Sequence, residues 1–459
     1  MTPALRALAR VLIVTACVSG VAPRLAPGVA PLLMQAQAQT QTRVAAPRQT
    51  QADDYTSYEL LAPETRQFRI LYDVTATTPG ATVYLNPIRP GSVASDERVT
   101  DLATGQTLPF TVVTGTEARL LGLPNATADA EYLRIDLARP VPAGGGEQRI
   151  RIDKTYKDPA SYTRDGDEVV FARSLGIRRN KVVLPAGYEL VSVNTPAQVF
   201  TEDDGRIAVS FFNVQPGQVA FEVRGRKLPE NVVRPRPGRS ARPAGSGAEA
   251  PASVEGAPSR VPTLAASAAM RVGDRAFQDR EITYWLQPPE THAFNISHDY
   301  TETREGVGRY LNIVRGGSTV SKPGAMVLDT GETLQVETLR GAAITQAGID
   351  IGGPVSALSE VVAIRFPVVK AGQSTRLRIT ETYTDPSRYG VVGGELVWRR
   401  AFGRPRNVVV LPEGWFLTAS SVPATVDRDE RGRVRLTFVN PRLDEIDVLL
   451  RARARGNTP

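Results

Sequence analysis

The chain of 459 residues carries a net charge of +7, one cysteine, 39 glycines and 35 prolines. Two or three domains fit this length, and a single cysteine excludes an intrachain disulfide. Basic and acidic residues are interspersed rather than clustered, so nucleic-acid binding is not expected.

Residues 1–38 have the pattern of a bacterial export signal, because two arginines precede a short apolar run. An A-x-A cleavage motif that ends at Ala38 predicts a soluble mature chain. The alternative is a lipoprotein box that ends at Cys17, which would then carry a lipid and attach the protein to a membrane. Either site predicts a location in the periplasm, the outer envelope or the extracellular space. Residues 39–54 are polar and aperiodic, which predicts a flexible leader.

The rest of the chain is a tandem duplication. Residues 58–91 match residues 284–317 at 16 of 34 positions without a gap. The same register continues, with small length changes, to the end of both copies. Repeat 1 is therefore predicted to span residues 55–228, and repeat 2 residues 278–455.

Between the repeats, residues 229–277 are rich in proline, alanine, glycine and arginine. Such a segment contains too few large apolar side chains to offset the entropy of ordering it. It is predicted to be a disordered linker, and the two repeats are expected to move relative to each other.

Within each repeat, apolar and polar residues alternate with a period of two, as Ile150 and Ile152 do with their neighbours. This pattern is typical of half-buried antiparallel strands. Turn signals recur throughout, and about eight to ten short strands in a unit of this size close most simply as a two-sheet sandwich. The predicted fold class is all-β, with two tandem antiparallel β-sandwich domains.

Residues 182–199 and 408–426 resemble a strand-turn-strand segment in the N-terminal β-sandwich domain of the aminopeptidase N family of zinc peptidases. Residues 58–70 are similar to the opening strand of that domain, and residues 137–156 are similar to a later segment of it. In that family the domain is not catalytic and packs on the peptidase domain, so the resemblance implies a fold without an activity. The zinc-binding H-E-x-x-H motif of the catalytic domain is absent from this sequence.

The repeats share a Thr-Tyr-x-Asp-Pro-x-x-Tyr motif that follows a predicted strand. Two tyrosines around a carboxylate would suit a sugar or the basic end of a peptide. The alternative is structural, because Asp-Pro starts turns and a tyrosine at a sandwich corner anchors a loop. The candidate residues are Tyr156, Asp158, Tyr162, Tyr383, Asp385 and Tyr389.

Arg179 and Arg406 precede apolar strands at matching positions, and their guanidinium groups would suit a carboxylate or a phosphate. The alternative is an internal ion pair with an acid such as Asp158. The repeated Tyr-Leu-Asn segments that begin at Tyr84 and Tyr310, each followed by an arginine, leave the same two interpretations open.

His292 and His298, the two histidines of the chain, are predicted to lie on one face of a strand as packed side chains. No further ligands are spaced to form a metal site with them, and no cofactor is expected.

The leading functional hypothesis is an exported, non-catalytic binding or scaffolding protein of the bacterial cell envelope. Its partner would be a protein, a peptide or a cell-surface glycan. One alternative is an accessory subunit that docks on a separate peptidase, which the resemblance implies. Another is a hydrolase that works through carboxylates, although acids such as Glu64 and Glu290 are single in each repeat.

Overall fold

The computed structural model describes residues 47–229 and 280–456. The predicted export signal with Cys17, and all but the first residue of the predicted linker, lie outside the described residues. The regular secondary structure of the described residues is almost entirely β-strand, which confirms the all-β prediction. No helix in these ranges combines the length and apolarity that crossing a membrane requires.

Repeat 1 contains thirteen strands and one short α-helix within its described residues. The predicted alternation is seen directly, since Ile150 and Ile152 are buried while their neighbours are more exposed. The elements are β1 Gln51–Leu60, β2 Gln67–Ala76, β3 Val83–Pro87, β4 Val93–Asp101, β5 Phe110–Thr114, α1 Gly115–Leu120, β6 Glu131–Asp136, β7 Gln148–Lys157, β8 Tyr162–Asp165, β9 Glu168–Leu175, β10 Arg179–Val183, β11 Tyr188–Thr201, β12 Ile207–Phe212 and β13 Val219–Lys227.

Repeat 2 has the same elements in the same order within its described residues. They are β14 Arg280–Leu286, β15 Ala293–Glu302, β16 Arg309–Ile313, β17 Thr319–Val327, β18 Gln335–Arg340, α2 Ala342–Gln346, β19 Glu360–Arg365, β20 Thr375–Thr384, β21 Tyr389–Val392, β22 Glu395–Phe402, β23 Arg406–Val410, β24 Trp415–Arg428, β25 Val434–Val439 and β26 Ile446–Ala454.

The first strand begins earlier than expected. β1 starts at Gln51, inside the segment that the sequence suggested as a flexible leader, and Gln51 lies opposite Ala76 in β2. The main-chain N–H of Gln49 also donates to the Gly122 carbonyl at 2.8 Å. These backbone hydrogen bonds hold the end of the leader to repeat 1, and its polar composition did not reveal them.

Ten strands of each repeat form one continuous ribbon. The order is β4-β7-β2-β1-β10-β12-β11-β13-β9-β8 in repeat 1. Repeat 2 has the equivalent order, from β17 to β21. The pairs β1–β10 and β14–β23 are parallel, which corrects the expectation of purely antiparallel sheets. Two parallel strands need a long connection between them. Here the connection from β1 to β10 consists of the strands β2 to β9, and repeat 2 has the equivalent connection.

The two halves of each ribbon face each other and enclose the core. In repeat 1 the rings of Phe68 on β2 and Phe171 on β9 lie 5.1 Å apart, edge to face. In repeat 2 the equivalent rings of Phe294 and Trp398 lie 5.9 Å apart. A separate three-stranded sheet packs beside each ribbon, β3-β6-β5 in repeat 1 and β16-β19-β18 in repeat 2. Each repeat is thus a β-sandwich with an added small sheet.

β11 and β24 join the two repeats into one sheet. Their pairing is antiparallel, and it places Val193 opposite Val426, Ala197 opposite Ala424 and Val199 opposite Ser420. Equivalent residues of these two strands differ by 227 in number, so Val193 corresponds to Ser420 and Val199 to Val426. The first and last pairs are therefore the same contact made twice. The middle pair joins Ala197 to its own equivalent, Ala424. The contact therefore has the self-complementary form of a two-fold interface. This pairing is contrary to the expected independent movement of the repeats.

A buried ion cluster lies beside this junction. The Glu189 side chain of repeat 1 is 2% exposed. One of its oxygens lies 3.3 Å from Nη2 of Arg428 and 3.0 Å from Nε of Arg455, both in repeat 2. Repeat 2 has Phe416 where repeat 1 has Glu189, so these ion pairs break the symmetry of the junction.

We expect Glu189→Ala to lower the free energy of unfolding by about 3 kcal/mol, because it leaves two largely buried guanidinium groups without their carboxylate. Urea denaturation measures this loss. Asp444→Ala, which removes the exposed partner of Arg442, is the control and should leave the denaturation midpoint unchanged. Equal effects of the two substitutions would contradict a stabilising role for the cluster.

Candidate functional site

The second tyrosine of the repeated motif anchors a loop. The hydroxyl of Tyr162 donates to the Leu61 carbonyl at 2.9 Å. The hydroxyl of Tyr389 donates to the Gln287 carbonyl in the same way. Both rings are fully buried. These contacts are those of a tyrosine at a sandwich corner.

Asp158 holds together the turn that follows β7. Its carboxylate accepts from the main-chain N–H groups of Ala160 and Ser161, and from the Ser161 hydroxyl at 2.7 Å. Nη1 of Arg173 on β9 lies 2.9 Å away, and both side chains are buried. Burial alone would raise the pKa of Asp158, but the bonds from Ser161 and the charge of Arg173 hold that pKa below its usual value.

Asp385 has the same place in repeat 2 but a different cation. Ser318 and Ser387 donate to it at 2.9 and 2.7 Å, and Nη1 of Arg388 lies 3.1 Å from it. Arg388 stands where repeat 1 has Ser161. The equivalent of Arg173 is Arg400 on β22, and Asp385 takes its cation from its own turn instead.

The first tyrosines of the motif are buried core residues. Nζ of Lys154 lies 4.9 Å from the centre of the Tyr156 ring. In repeat 2 the Tyr383 hydroxyl accepts from Nδ2 of Asn312 at 3.0 Å and faces an internal cavity. Of the six candidates from this motif, Tyr383 alone lines that cavity. Ligand binding by the other five stays a prediction.

Arg179 and Arg406 are exposed, and neither pairs with the aspartate of the motif. The guanidinium of Arg179 donates to the main-chain carbonyls of Asp53 and Asp54. The guanidinium of Arg406 lies 3.7 Å from Glu281. Asp158, the acid suggested as an example of an ion-pair partner, is thus not the partner of Arg179 and pairs with Arg173. The sequence did not reveal that Arg173, six residues earlier, faces inward from β9.

A cavity of about 100 Å³ lies inside repeat 2. Its walls come from β14, β15 and β20, with β16, β22 and the segment before β23 on the other side. Three isoleucines and three tyrosines form much of the lining. The other lining residues are His298, Asn312, Glu381, Arg400 and Arg404.

Three polar atoms of the lining residues are buried without a hydrogen-bond partner. They are Oε1 of Glu381, Nε2 of His298 and Nη1 of Arg400. Glu381 is 5% exposed and His298 is 6% exposed. The other oxygen of Glu381 accepts from Asn312 at 2.6 Å. Since native proteins pair nearly all buried polar groups, this concentration of unpaired atoms around one cavity marks a candidate binding site.

The surroundings shift the pKa values of His298 and Glu381. Burial, reinforced by the charges of Arg404 and Arg280, lowers the pKa of His298 to about 3, so the ring is neutral at pH 7. Burial raises the pKa of Glu381, although the hydrogen bond from Asn312 and the charge of Arg400 offset part of this rise.

Repeat 1 has different chemistry at the equivalent positions. Lys154 replaces Glu381, and its Nζ donates to Oδ1 of Asn86 at 2.9 Å. Burial lowers the pKa of Lys154 to about 8. Tyr72 replaces His298, and its hydroxyl accepts from Gln51 at 3.0 Å. These polar groups of repeat 1 are bonded to one another.

Sequence reasoning identified His298, Tyr310, Asn312 and Tyr383 as residues of interest but missed the charged residues of the cavity. No recognised sequence motif includes Glu381, Arg400 or Arg404. The available signal was the comparison of the two repeats position by position, because it reveals a lysine exchanged for a glutamate.

His292 lies before β15 and is apart from His298. Its Nδ1 is 2.7 Å from the Tyr389 carbonyl. Among the described residues, no three histidine, cysteine, aspartate or glutamate side chains converge in an arrangement that would hold a metal ion.

No model of a protein family and no curated protein matches this sequence. Among solved structures, the chain is similar to an M1 zinc metallopeptidase from Deinococcus radiodurans, at 13% identity and a TM-score of 0.25. That match covers 40% of this chain and 43% of the peptidase. An aminopeptidase N family protein from Idiomarina loihiensis is similar at 9% identity and a TM-score of 0.25, over 39% of this chain and 30% of that one.

The resemblance noted in the sequence is thus found again among solved structures, as a weak likeness to part of those proteins. This chain spans less than half the length of either peptidase.

We expect Asp158→Asn to lower the free energy of unfolding by about 3 kcal/mol at pH 7, because it breaks a buried ion pair. The pKa of Asp158 in the folded protein is lower than its ordinary 3.8, so its ionised form stabilises the fold above that pH. The difference in the free energy of unfolding between wild type and variant should therefore become smaller as the pH falls below 3.8. Urea denaturation at several pH values measures it.

Asp153→Asn is the matched control, since the ion pair of Asp153 with Arg69 is accessible to solvent. Its effect at pH 7 should be under about 1 kcal/mol. If Asp158→Asn were as mild as this control, the turn would not depend on the carboxylate.

Proposed function

We propose that the protein is an exported, non-catalytic binding module whose two joined β-sandwich repeats hold a pocket for a small polar ligand in repeat 2. The observation that carries this proposal is the set of unpartnered buried atoms around the cavity, on Glu381, His298 and Arg400. Leaving a buried polar group unpaired costs about 1–3 kcal/mol for each group. A ligand that bonds to these atoms would recover that free energy.

The position of the pocket favours precise binding. Glu381 and His298 lie on the central strands β20 and β15 of the ribbon, which are paired along their whole length. Side chains on such strands are held more rigidly than side chains on loops. Pairing of β11 with β24 fixes repeat 1 against this half, which suits a scaffolding role for the whole chain.

The size of the pocket limits what can enter it. Pockets for drug-sized ligands measure about 300–1,000 Å³, whereas this one holds about 100 Å³. A protein, peptide or cell-surface glycan partner would therefore insert one polar group rather than a whole residue or ring.

The lining favours binding over hydrolysis. A hydrolase that works through carboxylates needs two acids facing each other across the substrate. Among the residues around this cavity, Glu381 is the one carboxylate.

To test the proposed binding, small polar compounds can be screened for their effect on the melting temperature of the mature protein. We expect a compound that stabilises the wild type but not Asn312→Leu, because that substitution removes the donor that holds Glu381 and Tyr383. Asn86→Leu, at the equivalent position of repeat 1, is the control and should retain the shift. If no compound is found, or if both variants respond like the wild type, the pocket is not a binding site.

Export is proposed from the charged and then apolar N-terminal pattern. We expect mass spectrometry of the protein from its native host to give a mature N-terminus near Gln39 or a lipid-bearing Cys17. An intact Met1 on protein recovered from the cytoplasm would contradict export.

A further inference from the structure

The two repeats differ in charge around equivalent positions of their cores. Lys154 of repeat 1 corresponds to Glu381, and Ile177 corresponds to Arg404. Repeat 2 therefore has an acid where repeat 1 has a cation, and a cation where repeat 1 has an apolar side chain. A difference of this kind between two copies of one fold indicates a function that repeat 1 does not share.

A third difference changes the role of Arg400. In repeat 1 the equivalent Arg173 lies 2.9 Å from Asp158. In repeat 2 Arg388 provides the cation for that aspartate. Arg400 thus keeps its place in the core without the carboxylate that its counterpart binds.

The Arg400 guanidinium lies among aromatic rings, as Arg173 does in repeat 1. It is 5.0 Å from the centre of the Tyr383 ring, 5.4 Å from Phe294 and 5.7 Å from Tyr284. These rings shield it from water, and its Nη1 has no hydrogen-bond partner. A guanidinium in such surroundings requires an acceptor, and carboxylates match its planar donors best.

The charges around the cavity disfavour a cationic ligand. A cation bound to Glu381 would face Arg400 and Arg404 in the lining, with Arg280 close to His298. An anion would be attracted by the arginines and opposed by the ionised form of Glu381. That opposition disappears when Glu381 is protonated, and its O–H then becomes a donor to the anion.

Burial is the largest influence on Glu381 and disfavours its ionised form, whereas the hydrogen bond from Asn312 on β16 favours that form. Glu360 on β19, which lies close enough to act on it, disfavours its ionised form. Arg400 favours the ionised form, but an anion bound to Arg400 would cancel that effect. The remaining titratable neighbours in the lining are Tyr284, His298, Tyr310, Tyr383 and Arg404.

We propose that the pocket of repeat 2 binds a small monocarboxylate, paired with the guanidinium groups of Arg400 and Arg404, and that Glu381 takes up one proton on binding. One O–H bond forms on Glu381 as one breaks in the hydronium ion or buffer acid that supplies the proton, and the new O–H donates to the bound carboxylate. This inference rests on the proposed binding function and specifies its ligand class. A cavity of about 100 Å³ holds a ligand of roughly three or four heavy atoms, since a water molecule occupies about 30 Å³.

Acetate, acetamide and methylammonium, which are similar in size but differ in charge, test the proposal by isothermal titration calorimetry on the mature protein. We expect acetate to bind in preference to the other two. Its affinity should fall by up to tenfold for each unit rise in pH above the pKa of Glu381. Titrations at one pH in buffers of different ionisation enthalpy should show the uptake of one proton per acetate.

Variants separate the roles of the charged groups. Glu381→Gln mimics the protonated acid, so it should bind acetate with an affinity that no longer depends on pH. Arg400→Gln should weaken acetate binding at least tenfold. Lys154→Gln, the matched substitution in repeat 1, should leave both the affinity and its pH dependence unchanged, and melting temperatures verify that each variant is folded.

Three results would overturn the inference in different ways. Preferential binding of methylammonium, lost in Glu381→Gln, would leave the pocket as a binding site and reject the anion. If acetamide bound with the same affinity as acetate, the negative charge of the ligand would not matter, and the inference would likewise be rejected. If none of the three compounds binds and the wider compound screen also fails, the proposed function itself is rejected.

Discussion

The requirement that buried polar groups be paired governs both halves of this protein. In repeat 1 the charged groups at the positions equivalent to the cavity are paired internally, because Lys154 bonds to Asn86 and Arg173 bonds to Asp158. In repeat 2 the same backbone holds a different set of side chains, and Glu381 keeps one oxygen without a partner. The contrast matters because the fold is the same in both cases. What differs is whether the charged groups at these equivalent positions have protein partners.

Much of the fold could be predicted from the sequence. The period-two pattern around Ile150 and Ile152 identifies a strand with one buried face, and the duplication gives that inference twice. The parallel pairing of β1 with β10 could not be predicted, since strand alternation indicates which face is buried and not which neighbour is chosen. The junction of β11 with β24 was missed for the same reason.

The candidate site was less predictable. The repeated motif drew attention to Asp158 and Asp385, which hold turns together. The charged residues of the cavity belong to no motif. Their role depends on which side chains they contact in the folded protein. Arg388 illustrates the difficulty, because a single arginine on a turn changes the surroundings of Arg400 on another strand. Such an exchange of partners becomes visible only when the distances are known.

The two-fold form of the junction has a consequence for how the two repeats associate. Because Ala197 meets its own counterpart Ala424, the edge of β11 is complementary to a second copy of itself. The junction therefore has the form that a homodimer of single repeats would have, and the duplication holds this contact within one polypeptide.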